Sequence, residues 1–224
     1  MTENIESLVR VHENKLREYV SLLSSYGGKI RLTGPSDPEI LWNEHILDCL
    51  HSVSSLPPSG NVLDVGSGGG LPGLVWALCR PDLQVTLLDS VRKKCGALGE
   101  MASALELKNV RIVCARCEEY AVKEREAYRF AAARAVAAAD VLLEYLAPFV
   151  AVSGRVLAFK GPLYVEEIKP MEGKWSRLGL SAPEIHSYTT GEKERYLLLW
   201  NKEAHLHSRF PRKTGVAEKI KWWR

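Results

Sequence analysis

The stretch Val62-Leu63-Asp64-Val65-Gly66-Ser67-Gly68-Gly69-Gly70-Leu71-Pro72-Gly73 constrains the fold more than any other, because an apolar run passes through five glycines into a helix start. Val62, Leu63 and Val65 suit a strand covered on both faces. The glycines permit backbone angles and a close ligand approach that a Cβ forbids, and Pro72 suits a first helical position, where its missing N–H costs little. Such a unit predicts a nucleotide-cofactor site at the carboxyl edge of a sheet, with backbone N–H groups available to the ligand.

The alternation continues downstream. Apolar runs at 62–65, 85–88, 110–113, about 128–133 and 156–159 are separated by helical stretches, which predicts a parallel sheet with right-handed crossovers. Two further runs, about 184–188 and 196–200, are joined by Thr189–Arg195, too short for a helix, and read as a hairpin. Ahead of the sheet, Ile5, Leu8, Val9, His12, Leu16, Tyr19, Val20 and Leu23 predict an amphipathic helix from about Glu3 to Tyr26, stopped by Gly27-Gly28. Ser36-Asp37-Pro38-Glu39 starts a second helix running towards Val53, and Pro57-Pro58-Ser59-Gly60 then punctuates the chain. The expected organisation is a helical N-terminal cap over 1–58 packed on the core, an α/β domain over 59–204 and a basic aromatic tail over 205–224. Five alternating units followed by a terminal hairpin is the seven-stranded layout of the Rossmann-like class I methyltransferases.

Composition narrows the setting. The 224 residues, 46% hydrophobic, suit one compact domain with an appendage. No run of about 18 apolar residues occurs, and Met1-Thr2-Glu3-Asn4-Ile5-Glu6 lacks a basic start followed by an apolar stretch, so a cytoplasmic, monomeric protein with no membrane partner is expected. The five cysteines, Cys49, Cys79, Cys95, Cys114 and Cys117, are odd in number and scattered, which fits reduced thiols. The formal charge of +3 is uneven: from His205 to Arg224 six Lys or Arg face one acid, Glu218, a net of +5. Interleaved with Phe210, Trp222 and Trp223, this segment reads either as a phosphate-holding, base-stacking tail or as a solvated extension.

Several residues carry candidate chemistry. Gly68-x-Gly70-x-x-Gly73 satisfies the dinucleotide fingerprint, which keeps an NAD-dependent oxidoreductase open; a non-enzymatic RNA-binding module with a vestigial loop is another alternative. Asp64, two residues ahead of Gly66, instead matches Asp-x-Gly-x-Gly, the first motif of S-adenosylmethionine enzymes. Asp89 closes the second strand, where a carboxylate accepts from ribose hydroxyls of either cofactor or caps the helix carrying Lys93 and Lys94. Cys114-x-x-Cys117 lacks the further ligands of a structural zinc site, so no metal is expected; Cys117 and Glu118 instead fall at the third strand's end, beside an adenine pocket. His45 and Asp48 read as acid–base machinery or as a satisfied helix pair. Arg134, after the fourth strand, suits an anionic ligand group or an ion pair with Glu124 or Glu126, and Lys160 follows the same logic after the fifth.

Together with Leu32-Thr33, His45-x-Leu47-Asp48, Leu71-Pro72-Gly73, Leu88-Asp89-Ser90-x-x-Lys93-Lys94, Arg116-x-Glu118-Glu119, Arg134-Ala135-Val136-Ala137, Leu157-x-x-Lys160-Gly161 and Phe210-Pro211-Arg212-Lys213-x-Gly215, the chain resembles the RsmG family, also called GidB, the guanine-N7 methyltransferases of bacterial 16S ribosomal RNA. The resemblance implies S-adenosylmethionine as cofactor, and 16S ribosomal RNA or the small subunit as partner. Gly66, Leu71, Cys117, Glu118 and Arg134 become the implied contacts to that cofactor, beside Gly68 and Asp89 from the reading of the loop and second strand. Arg212, Lys213 and Lys160 become the expected RNA contacts. Guanine N7 has an in-plane lone pair and no proton, so no catalytic base is named. The chain departs from the family at Arg129, which stands where an acid is usual, and at Ala133, where a serine is usual and whose hydroxyl would be missing near the cleft.

Overall fold

The computed structural model describes residues 5–224. Helix α1 (Ile5–Ser25) buries Leu8, Leu16, Tyr19, Val20 and Leu23, the stripe their spacing predicts; Glu3 and Asn4, where the sequence reading began this helix, lie outside the described residues. Asp37 starts the second helical run, its side chain accepting from the backbone N–H groups of Glu39 and Ile40. That run is not uniform. Between α2 (Pro38–Leu41) and α3 (Leu47–Leu50) lies a π-helical stretch, Trp42–Ile46, a local widening that a residue-spacing pattern does not signal.

The remaining elements alternate as β1 (Gly60–Val65), α4 (Gly73–Cys79), β2 (Leu83–Asp89), α5 (Arg92–Ala104), β3 (Val110–Cys114), α6 (Cys117–Lys123), β4 (Tyr128–Arg134), α7 (Ala139–Leu146), β5 (Val150–Lys160) and α8 (Tyr164–Ile168). The hairpin β6 (Glu184–Thr190) and β7 (Lys193–Asn201) and the short α9 (Val216–Lys219) complete the chain. One seven-stranded sheet has the order β3-β2-β1-β4-β5-β7-β6. Strands β1 to β5 run parallel, and β7 lies antiparallel to both β5 and β6. After β3 the chain returns to pair β4 with β1, and at such a reversal ligands seat outside the carboxyl ends of the strands.

Three expectations shift. Pro72 precedes α4 as its cap residue instead of forming its first turn. The hairpin strands are longer than read from sequence: Thr190 pairs with Lys193, and Gly191, at φ 60°, lets the chain reverse in two residues. Strand β5 begins at Val150, well before its apolar run, because Ser153-Gly154-Arg155 interrupt the apolar pattern without ending the strand.

The sheet is packed on both faces. On one, α1, the capping helices and α4 enclose Tyr19, Trp76, Leu87 and Phe130. On the other, α7 and the C-terminal segment enclose Leu143, Phe149, Trp200, Phe210 and Trp222. The last two residues correct the picture of a base-stacking tail: both are buried, and Trp222 Nε1 donates to the Asp140 carbonyl at 2.7 Å. Burying two large aromatics outweighs leaving them in water for an external base to find.

Candidate functional site

The glycine segment leaves β1 and enters α4 with its own backbone already engaged. Gly66 and Ser67 donate their N–H groups to the Leu88 carbonyl, Gly70 to Ser67, and Gly68 to Asp89 Oδ2 at 2.9 Å. Gly73 donates to Asp64 Oδ2, also at 2.9 Å. A Cβ on Gly73 would lie 2.1 Å from Leu87 Cδ2, so only glycine lets α4 sit this close to the sheet. The expectation of open N–H donors is therefore corrected at these positions, and a pyrophosphate loses the donors that would cradle it.

Asp64 faces inward. It is fully buried, burial pushes its carboxyl up to about 7, and Oδ1 meets no partner. It ties the loop to the helix and does not line the cleft. Asp89, by contrast, lines the cleft. Its Oδ1 accepts from Val91 N at 2.8 Å and its Oδ2 from Gly68 N, which leaves acceptor capacity on both oxygens. Helix α5 has Val91 at its cap without a side-chain bond, so Asp89 serves the loop and the turn before the helix.

A cleft of about 520 Å³ opens beside it, lined by Gly66, Asp89, Cys117, Glu118, Tyr145 and Gly215 among others. Cys117 begins α6, and its Sγ donates to Glu118 Oε2 at 3.1 Å. Burial first, then the Glu118 carboxylate, pushes this thiol far up, which makes it a neutral wall and a poor nucleophile. The other Glu118 oxygen accepts from Gly215 N at 3.1 Å, and Tyr145 donates to Glu218. Thr214, Gly215 and Glu218 are lining residues that sequence reasoning missed. No spacing rule connects them to Glu118, nearly a hundred positions earlier.

A second cavity of about 410 Å³ lies over the glycine loop and shares Gly66, Lys94 and Ala135 with the first. Gly68, Leu71, His45 and Arg134 line it. Arg134 is not an ion pair with Glu124 or Glu126. Its Nη1 donates to Asp48 Oδ2 at 2.8 Å and its Nη2 to His45 Nδ1 at 2.6 Å. Asp48 Oδ1 accepts from Tyr188 at 2.6 Å, and Tyr188 stacks on His51 at 4.0 Å. Helix α3 and the π-helical stretch thus meet β4 at one guanidinium, and the hairpin joins through Asp48. With the Arg134 and Asp48 side chains only 14% and 4% exposed, each charge depends on the other for compensation. His45 is pulled down to about 4, by burial first and then by Arg134, and is neutral at pH 7. The pairing of His45 with Asp48 along one helix is real only through Arg134, and Tyr188, 140 positions from Asp48, had no sequence signal.

Two expected RNA contacts are engaged internally. Lys160, 8% exposed, donates to the Ala137 carbonyl at 2.9 Å and to Glu167 at 2.6 Å. Arg212 grips both oxygens of Glu144 and the Ile220 carbonyl. Lys213 is exposed, with no side-chain partner among the described residues. Ala133 is buried in the cluster against α7, away from the cleft, so the serine it replaces would have met apolar neighbours there. Arg129 lies at the opposite edge of the sheet, lining a depression with Ser55, Pro57 and Arg155. Among the described residues no group of three or more His, Cys, Asp or Glu is placed to hold a metal ion, and no helix is long and apolar enough to cross a membrane.

Comparisons with known proteins bear on the fold and the family. Solved structures share the fold: YcgJ from Bacillus subtilis superposes with a TM-score of 0.56 at 14% identity, covering 71% of this chain and all of that one. A 16S rRNA (adenine(1408)-N(1))-methyltransferase from Catenulisporales acidiphilia, solved with its cosubstrate SAM, superposes at 0.53 and 12% identity over 66% of this chain and 86% of that one. Sequence relatives are much nearer. Ribosomal RNA small subunit methyltransferase G of Petrotoga mobilis is 35% identical over 92% of this chain and 93% of its own length. The protein of the same name from Pseudothermotoga lettingae is 39% identical over 89% and 87%. The model of the GidB family, described as rRNA small subunit methyltransferase G, matches residues 12–198. The chain belongs to this family, the GidB methyltransferases of small-subunit ribosomal RNA.

Proposed function

We propose that the protein transfers the methyl group of S-adenosylmethionine to N7 of a guanine in 16S ribosomal RNA, with Gly66, Gly68, Leu71, Asp89, Cys117, Glu118 and Arg134 forming the cofactor site. The observation that carries this reading over a dinucleotide is the glycine loop, whose N–H groups are already spent inside the protein, and the residue that receives the nucleoside is Asp89. Its carboxylate is pinned at the carboxyl end of β2 by two backbone N–H groups and keeps lone pairs for ribose hydroxyls. The two adjoining cavities are each within the size range of small-molecule sites. They also differ in charge. The nucleoside side carries three acids, Asp89, Glu118 and Glu218, acceptors for hydroxyl and amino groups, beside Arg116 and the shared Lys94. The loop side carries no acid and holds Arg31 and the shared Lys94, with Arg134 already paired to Asp48 behind them, which suits a carboxylate. This polarity supports an orientation with the amino-acid end of the cofactor over the glycine loop.

When bound, the sulfonium supplies an electrophilic methyl group. The chain's own task is alignment, because an unprotonated N7 needs no base and holding the reacting atoms in line makes the step effectively unimolecular. The site fits that demand: His45 is neutral with its Nδ1 occupied by Arg134, and the Asp64 carboxyl is sealed from the cleft. Arg31, Lys94, Arg116 and Lys213 line or flank the cleft without side-chain partners among the described residues, and these supply phosphate contacts to the RNA. The test is incubation with methyl-labelled S-adenosylmethionine and small-subunit RNA, naked and as assembled subunit, from a strain lacking the gene, followed by mapping of the label. N7-methylguanine in 16S RNA is expected; no label in either substrate overturns the reading.

A further inference from the structure

Among the described residues that line the loop-side cavity, His45 carries a buried side-chain nitrogen, Nε2, that has no hydrogen-bond partner. Arg134 has only protons to give, so the 2.6 Å contact to His45 Nδ1 makes that nitrogen an acceptor and places the ring proton on Nε2. Nε2 is buried and meets no acceptor in the protein. A buried donor left unmade is costly, and such an orphan in a ligand cavity asks for an acceptor from the ligand. The ring is also unable to turn round and satisfy itself, since Arg134 is in turn held by Asp48, and Asp48 by Tyr188.

We infer that His45, through Nε2–H, is a cofactor-binding residue that donates to the carboxylate of the methionine end of S-adenosylmethionine. The inference rests on the cofactor reading above and adds a residue and an atom to it. Three observations choose the carboxylate. The cavity His45 lines holds Arg31 and Lys94, neither with a side-chain partner among the described residues, and no acidic residue, so an anion is the complementary group. An N–H donor cannot serve the ammonium at the same end of the cofactor. The nucleoside's hydroxyl and amino groups find their acceptors at Asp89 and Glu118 in the neighbouring cleft. His45 also lies in the π-helical stretch Trp42–Ile46, a kind of local distortion that recurs at functional sites.

The test compares two ligands by calorimetry: S-adenosylmethionine, and 5′-methylthioadenosine, which keeps the nucleoside and sulfur but lacks the amino-acid end. His45→Phe is expected to weaken S-adenosylmethionine about ten- to a hundredfold, the worth of one hydrogen bond to a charged group, and to leave 5′-methylthioadenosine within about twofold. His45→Gln keeps an acceptor for Arg134 and an N–H for the ligand, and is expected to recover most of the loss. Equal weakening of both ligands by His45→Phe, with no recovery in His45→Gln, would mean a purely structural residue and overturn the inference. Unchanged S-adenosylmethionine affinity in His45→Phe overturns it too. Failure of the native protein to bind either ligand instead overturns the cofactor reading itself, and the inference with it.

Discussion

The glycine loop and the C-terminal segment are both rich in residues that sequence logic aims at a ligand, yet the structure uses them differently. The loop is held by its near neighbours: its N–H groups end on Leu88, Asp89, Ser67 and Asp64, all on the same pair of strands or the turn itself. The segment after residue 205 is held by distant ones. Phe210 and Trp222 enter the core, Trp222 bonds to Asp140, Arg212 grips Glu144, and Gly215 reaches Glu118. The loop shapes the floor of the site and the tail closes its side. A positive charge in the tail is thus no guide to its task, since adjacent residues Arg212 and Lys213 have opposite surroundings, one engaged with a buried acid and one exposed.

The largest effects are expected where the tail is anchored. Trp222→Ala should cost about 3–5 kcal/mol by opening the core. Arg212→Ala should cost a similar amount, because Glu144, 3% exposed, is left as an uncompensated buried charge. Urea unfolding measures both, and a loss below about 1 kcal/mol in each would return the tail to the status of a loose extension.

On the loop side, Gly73→Ala should cost about 1–3 kcal/mol by pushing α4 off Leu87, and should weaken cofactor binding in the same variant. Retained stability with retained affinity would show that the tight approach of helix and sheet is not needed.

The buried Asp64 gives the loop a pH signature of its own. Because its pKa in the folded state is raised, the folded state holds the proton more tightly, so the stabilisation is complete below the ordinary carboxylate range and is lost as pH rises through about 7. Stability should fall by about 1 kcal/mol between pH 6 and 8, and Asp64→Asn should flatten that slope. Denaturation midpoints at several pH values check this; an identical slope in Asp64→Asn contradicts it.

The smallest effect on stability is expected at Lys213, within about 0.5 kcal/mol for Lys213→Ala. RNA affinity measured against salt should nevertheless lose about one unit of slope, the mark of one phosphate contact. An unchanged slope would take Lys213 out of the RNA surface.

The same contrast explains what could be read from the sequence. The order of strands and helices was legible because β-branched runs, glycine turns and helix starts are local signals, and Asp89 was legible because its place at a strand's end is set by counting. Arg134 was placed correctly at the carboxyl edge, but its partners Asp48 and His45 come from helical stretches some ninety positions earlier, and the alternative ion pair with Glu124 or Glu126 does not form. The tail was misread for the same reason. Nothing near Phe210 or Trp222 in sequence reveals the apolar hollow beside α7 that receives them. The π-helical turn stayed hidden because its apolar spacing is compatible with an ordinary helix.

The central claim is that the loop and cleft form a site for adenosylmethionine and not for a dinucleotide, and paired calorimetric titrations of the native protein test it most directly. One-to-one binding of S-adenosylmethionine with no heat from NAD is the predicted result. Tight binding of NAD with no response to S-adenosylmethionine would contradict the account.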